Sequence, residues 1–513
     1  LGLRKPEEYI QALREKSKKA QIYVLGERVE DVTKHPFTMP AVKAFEWTYK
    51  APWDDFFYDE EMGTHLARAY SPFINEEVNR FNHIHQSPKD LAIKVKYFRK
   101  LSHKAGSCFQ RCVGWDAINT MSIITYDIDK WYEQKGEKPD HFENFGTYYE
   151  RFLKFLKYVQ KNDIALAGVM TDAKGVRSLR PHEQPNKDVY VHVKEVTDEG
   201  IIVRGAKANI TGVIASEEMI VMPTRAMTEK DKDFAIAFAV PIDAEGVTLV
   251  VGRYTNDTRR LEDPNVDALP NVFPAEAIVI FDDVFVPWER VFMFREYQFA
   301  AELVEIFSSY HRQAYGGCKP GLADVIIGGA YHLAKEMGIV NKCHIREKLT
   351  EMVFLAEAMH AGGLAAAWEG KKAASGTYYV DQMMANVTKQ MVTRFPYEIA
   401  RLAHDIAGGI IGTLPSYKDF IHEKIGKYLQ EYLKCLPDYP AEWRFRVLRL
   451  LENLTLSVEF LIESVHGAGS PEAQRIWMRR FYPFEEMEDH ALRLAGINPE
   501  EKPERKKQKQ EKQ

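Results

Sequence analysis

Cysteine is scarce in this chain. Five residues in 513 are too few and too scattered for a disulfide framework, which points to a reducing compartment, the cytoplasm. Long apolar runs are missing too. No stretch of 18 apolar residues occurs, so no membrane span is expected. The start, Leu1-Gly2-Leu3-Arg4-Lys5-Pro6, lacks the apolar core of a signal peptide. A net charge of −5 offers nucleic acid no general attraction. The dinucleotide fingerprint G-x-G-x-x-G after a strand is absent, and nothing repeats at a fixed period. What the chain does have is material for a core: 45% apolar and 12% aromatic residues, enough for two or three domains.

One stretch concentrates chemistry. Tyr310-His311-Arg312-Gln313-Ala314-Tyr315-Gly316-Gly317-Cys318-Lys319 sets an imidazole, a phenol, a thiol and an ammonium beside two glycines that let the backbone crowd close to something. His311 and Cys318 are seven apart, about two helical turns, so a helix puts both on one face. Far upstream, Cys108-Phe109-Gln110-Arg111-Cys112 sets two thiols four apart, again one face of a helix. Three thiols and one imidazole make four ligands, the number that an iron–sulfur cluster or a zinc ion takes. Spacing does not choose between those metals, and buried cysteines also serve as small apolar residues. Cys343 and Cys435 have no metal-like neighbours and read as structural.

Residues 1–160 read mainly as helix. Pro6 opens a segment in which Ile10 and Leu13 begin an amphipathic stripe, and Asp90 to His103 and Phe145 to Val159 repeat the pattern, the latter with Tyr149, Phe152, Leu153 and Leu156 on one face. The Cys108 pair sits between two such helices. Over 161–290 the period becomes that of strands: Asp188 to Val193, Gly200 to Gly205, Ala235 to Pro241, Val247 to Gly252 and Ala277 to Val286. From 291 to 498 long apolar-periodic segments return (Ala323 to Met337, Ile345 to Trp368, Tyr378 to Ile406, Trp443 to Val465) and suit a helical bundle. The tail, 499–513, is charged, without an apolar anchor, and reads as disordered.

Three polar, glycine-containing stretches can meet a cofactor. Met170, Thr171, Asp172, Lys174, Gly175 and Arg177 combine backbone access with hydroxyl and charged partners. Lys207, Asn209 and Thr211 follow a strand. Gly408, Gly409, Gly412 and Thr413 allow the close backbone approach that a pyrophosphate needs. Each is also what an ordinary turn or close helix contact looks like. The acid/base candidates are Glu276, at the mouth of an apolar strand, Tyr315, Lys319, and Glu463, which ends an apolar helical face where burial would raise its pKa.

Cys108-x3-Cys112 followed by Val113-Gly114-Trp115-Asp116-Ala117, together with the Tyr310–Gln313 and Tyr315–Lys319 runs, resembles the 4-hydroxybutyryl-CoA dehydratase branch of the flavin family that also holds the 4-hydroxyphenylacetate 3-monooxygenases. The likeness runs from about Lys5 to about Ile497, and the split Cys/Cys/His/Cys set is its most specific part. It implies an α+β, acyl-CoA-dehydrogenase-like fold: an N-terminal helical domain, a β-rich middle domain and a C-terminal helical bundle. FAD would lie non-covalently between the middle sheet and the bundle, completed by a neighbouring subunit of a homotetramer. It implies a [4Fe–4S] cluster on Cys108, Cys112, His311 and Cys318, with Glu276, Tyr315 and Glu463 as functional residues and Lys319 holding a substrate or flavin group by its charge. The implied substrate is an acyl-CoA, 4-hydroxybutyryl-CoA, dehydrated to crotonyl-CoA, with vinylacetyl-CoA isomerisation alongside. A thioester acidifies only C2, whereas loss of water from C4 needs a C3 hydrogen. The implied route has a base take the C2 proton and FAD withdraw an electron from the enolate, so that the radical releases its C3 hydrogen and hydroxide departs. Cluster iron would act as Lewis acid and His311 as both ligand and base, and the electron would return at the end. The alternatives are a flavin-dependent aromatic hydroxylase and a non-catalytic protein with structural zinc.

Overall fold

The structure is a computed structural model that describes residues 2–253 and 262–501. Beyond Glu501 the charged tail lies outside the described residues, and Pro499–Glu501 form a single helical turn.

The N-terminal part is helical for legible reasons. In α1 (Pro6–Lys19) Pro6 pre-sets the first turn, the Glu8 carboxylate accepts from the Lys5 amide at 2.7 Å, and Lys16, Lys18 and Lys19 face the negative end of the dipole. Its buried stripe is Tyr9, Leu13 and Ser17, with Ile10 only half-buried, so the expected stripe is rotated by one position. After α2 (Met39–Lys50) come α3 (Pro88–Ala105), capped by Ser87 and closed by Gly106 in the left-handed region, α4 (Cys112–Lys135), α5 (Asp140–Phe145) and α6 (Tyr148–Asn162). Helix α6 begins in a Thr147/Glu150 capping box and buries Phe152 and Leu156 with Tyr149 and Leu153 beside them, as the periodicity predicts.

This part also contributes strands that the sequence reading lacks. β1 (Gln21–Val24) and β2 (Glu27–Arg28) follow α1, and two short ladders pair β3 (Tyr58–Asp59) with β4 (Thr64–His65) and β5 (Arg68–Ser71) with β6 (Glu76–Asn79). The middle of the chain supplies β7 (Leu166–Val169), β8 (His192–Val196), β9 (Gly200–Thr211), β10 (Glu218–Val221), β11 (Ile236–Pro241), β12 (Val247–Val251), β13 (Glu276–Pro287) and β14 (Val291–Phe294). Among the described residues a six-stranded sheet runs β2–β1–β12–β13–β9–β8 and a four-stranded sheet β14–β11–β10–β7. Phe238 of one meets Phe281 of the other edge-on at 6.0 Å in their shared core. β1 pairs parallel with β12, so the N-terminal part completes the middle sheet. The strand expected at Asp188 to Val193 is displaced. Asn186 accepts from the Asp188 amide at 3.0 Å and winds Lys187–Val189 into a 3₁₀ turn, so β8 starts only at His192.

The C-terminal bundle is built on α7 (Ala300–Glu336), α8 (Cys343–Trp368), α9 (Gln382–Val392), α10 (Phe395–Ala407) and the helix Ala441–Thr455. Two expected helices are interrupted. Tyr378–Tyr379 pairs with Lys371–Lys372 as a short ladder, and the chain breaks again between α9 and α10. Past Thr455, Ser457 caps a π-helical turn, Val458–Ile462, which leads into Glu463–His466. Pro320 sits inside α7, so the Gly316 carbonyl loses its usual N–H partner and instead meets His360 Nδ1 of α8 at 3.0 Å. Glycine is needed there: a Cβ on Gly316 would lie 2.6 Å from Gly363 Cα, and one on Gly317 2.5 Å from the Val95 carbonyl of α3. The crowding partners of these glycines are helices. Helices, then sheets, then a bundle give the acyl-CoA-dehydrogenase-like α+β fold. Among the described residues no helix is long and apolar enough to cross a membrane.

Candidate functional site

Helix α7 carries His311, Tyr315, Cys318 and Lys319 along one side, as their spacing predicts, with His311 and Tyr315 rings edge-on at 5.2 Å. Cys108 and Cys112 do not share a helical face. Cys112 opens α4, but Cys108 lies in the loop before it, where Gln110 adopts φ 65°. Gln110 justifies that conformation by its bonds: its Nε2 donates to the Ala41 carbonyl at 2.9 Å and its Oε1 accepts from the Ala275 amide at 3.0 Å. The loop is therefore tied to the residue beside Glu276. Arg111, fully buried, pairs with Asp163 at 2.6 Å and lies over Tyr49, which fixes the turn into α4.

The three thiols are mutual electrostatic neighbours. Burial pushes the Cys108 and Cys112 thiols well up, and Glu463, Asp116 and the other thiols add to it; burial also raises Cys318, against the pull of Lys319. Tyr315 is pushed well up by burial and by Glu463, so its phenol stays protonated. Burial works against the Lys319 charge, but Glu463, Cys318 and Cys108 outweigh it and raise the ammonium. Lys319 Nζ reaches Glu463 Oε2 at 3.3 Å and also bonds the Glu459 carbonyl. The other Glu463 oxygen, Oε1, is buried without a hydrogen-bond partner. Glu276 is pushed up to about 7 by burial and by the Glu463 charge, while the Thr211 hydroxyl donates to its Oε1 at 2.9 Å. Two carboxyl groups with different surroundings, facing thiols and a phenol, are an arrangement for moving protons.

Asp116, Lys94 and Lys389 escaped the sequence reading. Asp116 Oδ2 lies 2.9 Å from His311 Nδ1 and its other oxygen pairs with Lys94. Lys389 of α9 donates to the carbonyls of Glu463 and Ser464 at 3.2 and 2.6 Å and stands 4.0 Å over the Tyr315 ring. The signal for Lys389 was periodic: Ala385, Thr388, Lys389 and Val392 share a buried face, which places a lysine among core positions.

The donor set of three thiols and an imidazole is the soft kind that suits iron–sulfur iron. Among the described residues no group of three His, Cys, Asp or Glu side chains is drawn together as a metal site, although the three thiols are electrostatic neighbours. The first two cofactor stretches are brought together. Asp172 bridges to Lys207, the Ala208 amide donates to the Thr171 carbonyl at 2.8 Å, and Thr211 meets Glu276. Lys207 and Asp172 spend their charges on each other at 2.8 Å, and Lys207 Nζ also reaches the Met170 and Met222 carbonyls. Lys174 and Gly175 are both at positive φ, and burial together with Arg177, Lys207 and Arg225 lowers the Lys174 ammonium against the pull of Asp172. Asn209 is likewise left-handed. Gly408, Gly409 and Gly412 lie elsewhere, lining a pocket of about 440 Å³ with His404, Asp405, Glu452 and Leu456, and a Cβ on any of them would meet nothing within 4 Å. Thr413 follows, its amide bonded to the Ile410 carbonyl.

Residues 5–293 match the family 4-hydroxyphenylacetate 3-hydroxylase N terminal, and residues 300–496 match 4-hydroxyphenylacetate 3-hydroxylase C terminal. The chain is 43% identical over 505 residues to the 4-hydroxybutyryl-CoA dehydratase/vinylacetyl-CoA-Δ-isomerase of Clostridium aminobutyricum, covering 96% of this chain and 99% of that one. A solved oxygen-tolerant archaeal 4-hydroxybutyryl-CoA dehydratase from N. maritimus superposes with TM-score 0.90 at 44% identity, over 97% of this chain and 95% of its own. The oxygenase component of 4-hydroxyphenylacetate 3-monooxygenase, solved with FAD and 4-hydroxyphenylacetate, shares the fold at TM-score 0.79 and 22% identity, over 96% of this chain and 99% of its own. The chain belongs to the 4-hydroxyphenylacetate 3-hydroxylase family, in the branch of the 4-hydroxybutyryl-CoA dehydratase/vinylacetyl-CoA-Δ-isomerases.

Proposed function

We propose that this protein dehydrates 4-hydroxybutyryl-CoA to crotonyl-CoA and isomerises vinylacetyl-CoA, with a [4Fe–4S] cluster held by Cys108, Cys112, His311 and Cys318 and FAD held non-covalently. The flavin's contacts are Met170 to Arg177, Lys207 to Thr211 and, from a neighbouring subunit, Gly408 to Thr413. The observation that carries the reading is the meeting of α7, the Cys108 loop, the start of β13 and the Glu463 turn, which sets soft donors beside two carboxyl groups and a protonated phenol. The activity in the name of the 43% identical relative supports it.

Bound there, FAD supplies reversible one-electron oxidation and the cluster a Lewis-acid site for the substrate hydroxyl. The chain's own residues do the rest. The Glu276 carboxyl, held near 7, is a base at neutral pH for the C2 proton that the thioester acidifies. Asp116 occupies His311 Nδ1, so Nε2 is the ring nitrogen left to face the site. Tyr315 donates from its phenol to the departing oxygen. Lys319 and Lys389 bond the carbonyls of residues 459, 463 and 464, and so fix the turn that aims Glu463.

Anaerobically purified protein tests this directly. Iron, sulfide and FAD should be present, and 4-hydroxybutyryl-CoA should yield crotonyl-CoA. Cys112→Ala should lose iron while Cys435→Ala keeps it. Colourless protein that FAD cannot reconstitute, or full iron in Cys112→Ala, sinks the reading. Oxygen-dependent hydroxylation of 4-hydroxyphenylacetate by metal-free protein would replace it with the hydroxylase reading that the family profiles also support.

A further inference from the structure

We propose that Asp116, charge-balanced by Lys94, is the positioning residue that fixes the His311 ring, engaging Nδ1 and presenting Nε2 as the ligating nitrogen, and thereby sets how firmly His311 holds the cluster. The proposal rests on the reading above and adds a residue to it.

Cys112 and Asp116 are four apart on the first turns of α4, so one helical face delivers a thiol and a carboxylate together. Both carboxylate oxygens are engaged. Oδ2 meets His311 Nδ1 at 2.9 Å, and Oδ1 takes the Lys94 ammonium. Asp116 and Lys94 are 0% exposed, so water competes for neither contact. Lys94 is fixed in turn by the Tyr310 carbonyl at 3.1 Å and by the rings of Phe98, Trp115 and Tyr310, 5.4–5.9 Å from its nitrogen. Tyr310 precedes His311, so the same ammonium anchors the carboxylate and the backbone of the helix that carries the imidazole.

With Oδ1 on the Lys94 ammonium and Oδ2 on Nδ1, the carboxylate accepts from both, so the Nδ1 side of the ring is taken and Nε2 is the nitrogen left to ligate. The ring cannot turn to exchange the two nitrogens. Phe307 stacks on it at 6.2 Å, Tyr315 closes it edge-on at 5.2 Å, and rotation would break the Asp116 bond. A purely structural ion pair would be complete with Lys94 alone; the second oxygen spent on His311 gives the pair a function at the site. Partners of this kind, behind a ligating histidine, typically change metal affinity by about 10–100-fold when removed.

The test measures iron release from anaerobically prepared holoprotein to a chelator, in wild type, Asp116→Asn, His311→Ala and the double variant, with the imidazole-nitrogen coupling of the reduced cluster recorded by magnetic resonance. Asp116→Asn should accelerate release by about 10–100-fold and alter the nitrogen coupling. In the His311→Ala background it should add nothing, because its partner is gone. Equal acceleration in both backgrounds would mark Asp116 as merely structural and overturn the proposal, as would no acceleration in either. Lys94→Gln/Asp116→Asn removes both charges together and serves if Asp116→Asn alone does not fold; the same acceleration is expected. Wild-type protein that binds no iron overturns the dehydratase reading together with this one. Iron-loaded wild type with an indifferent Asp116→Asn overturns this one alone.

Discussion

Two lysines buried near the site, Lys94 and Lys389, solve the same problem differently. Both are 0% exposed. Lys94 has a carboxylate, Asp116, together with a carbonyl and three ring faces. Lys389 has two carbonyls and the Tyr315 ring, with the Lys319 ammonium as a neighbour. Burial, reinforced by Lys319, drives Lys389 well below the ordinary lysine range. Carbonyl dipoles and a ring face favour the proton on a buried amine less than a carboxylate does. The first lysine balances a charge that the site uses; the second ties down a turn.

The largest effect expected is from Lys94→Met, which strands Asp116 as an unpaired buried charge and should cost about 3–5 kcal/mol in equilibrium denaturation. Adding Asp116→Leu should recover most of that, and failure to recover would mean that the pair is not the source. Next come Glu276→Gln and Glu463→Gln. Each keeps shape and should retain iron and FAD, yet slow dehydration by at least ~10²-fold; near-wild-type turnover in either would remove that carboxyl from the mechanism. Lys389→Met comes third. It removes two hydrogen bonds but strands no charge, so about 1–3 kcal/mol is expected. A loss as large as that of Lys94→Met would erase the distinction between the two lysines.

The smallest effect is a slope. Glu276 stands near 7 in the fold against an ordinary 4.5, so between those values the folded protein holds the extra proton. Stability from this group is complete below about 4.5 and is lost as pH rises through 7; Glu276→Gln should flatten that decline. The rate should show the opposite trend, with an acid limb near 7 as Glu276 loses its proton.

How much the sequence reveals depends on the range of the interaction. His311 and Cys318 were legible because two turns of one helix separate them. Cys108 was misplaced because Gln110 bends the loop through bonds to Ala41 and Ala275, residues far off in the chain. The flavin stretches around Thr171 and Lys207 join through a bridge that no local pattern announces, and β1 is too short to alternate convincingly. Asp116 lay inside a motif that was read for its cysteine; its importance comes from helices α3 and α7, which meet only in the fold.

The parallel pairing of β1 with β12 also has a timetable. Gln21 faces Thr248, so the strand nearest the start of the chain waits for a partner made much later. At about 5–20 residues per second, the roughly 230 residues between them occupy a ribosome for on the order of ten to forty-five seconds. Through that interval Ile22 and Val24, both buried in the finished sheet, stand uncovered on the nascent chain. Slow translation, or a bulky fusion on the N-terminal side, therefore acts first on this edge of the sheet. Slower translation lengthens that wait, so a yield that falls when synthesis is slowed at constant temperature would trace to β1 left without its partner.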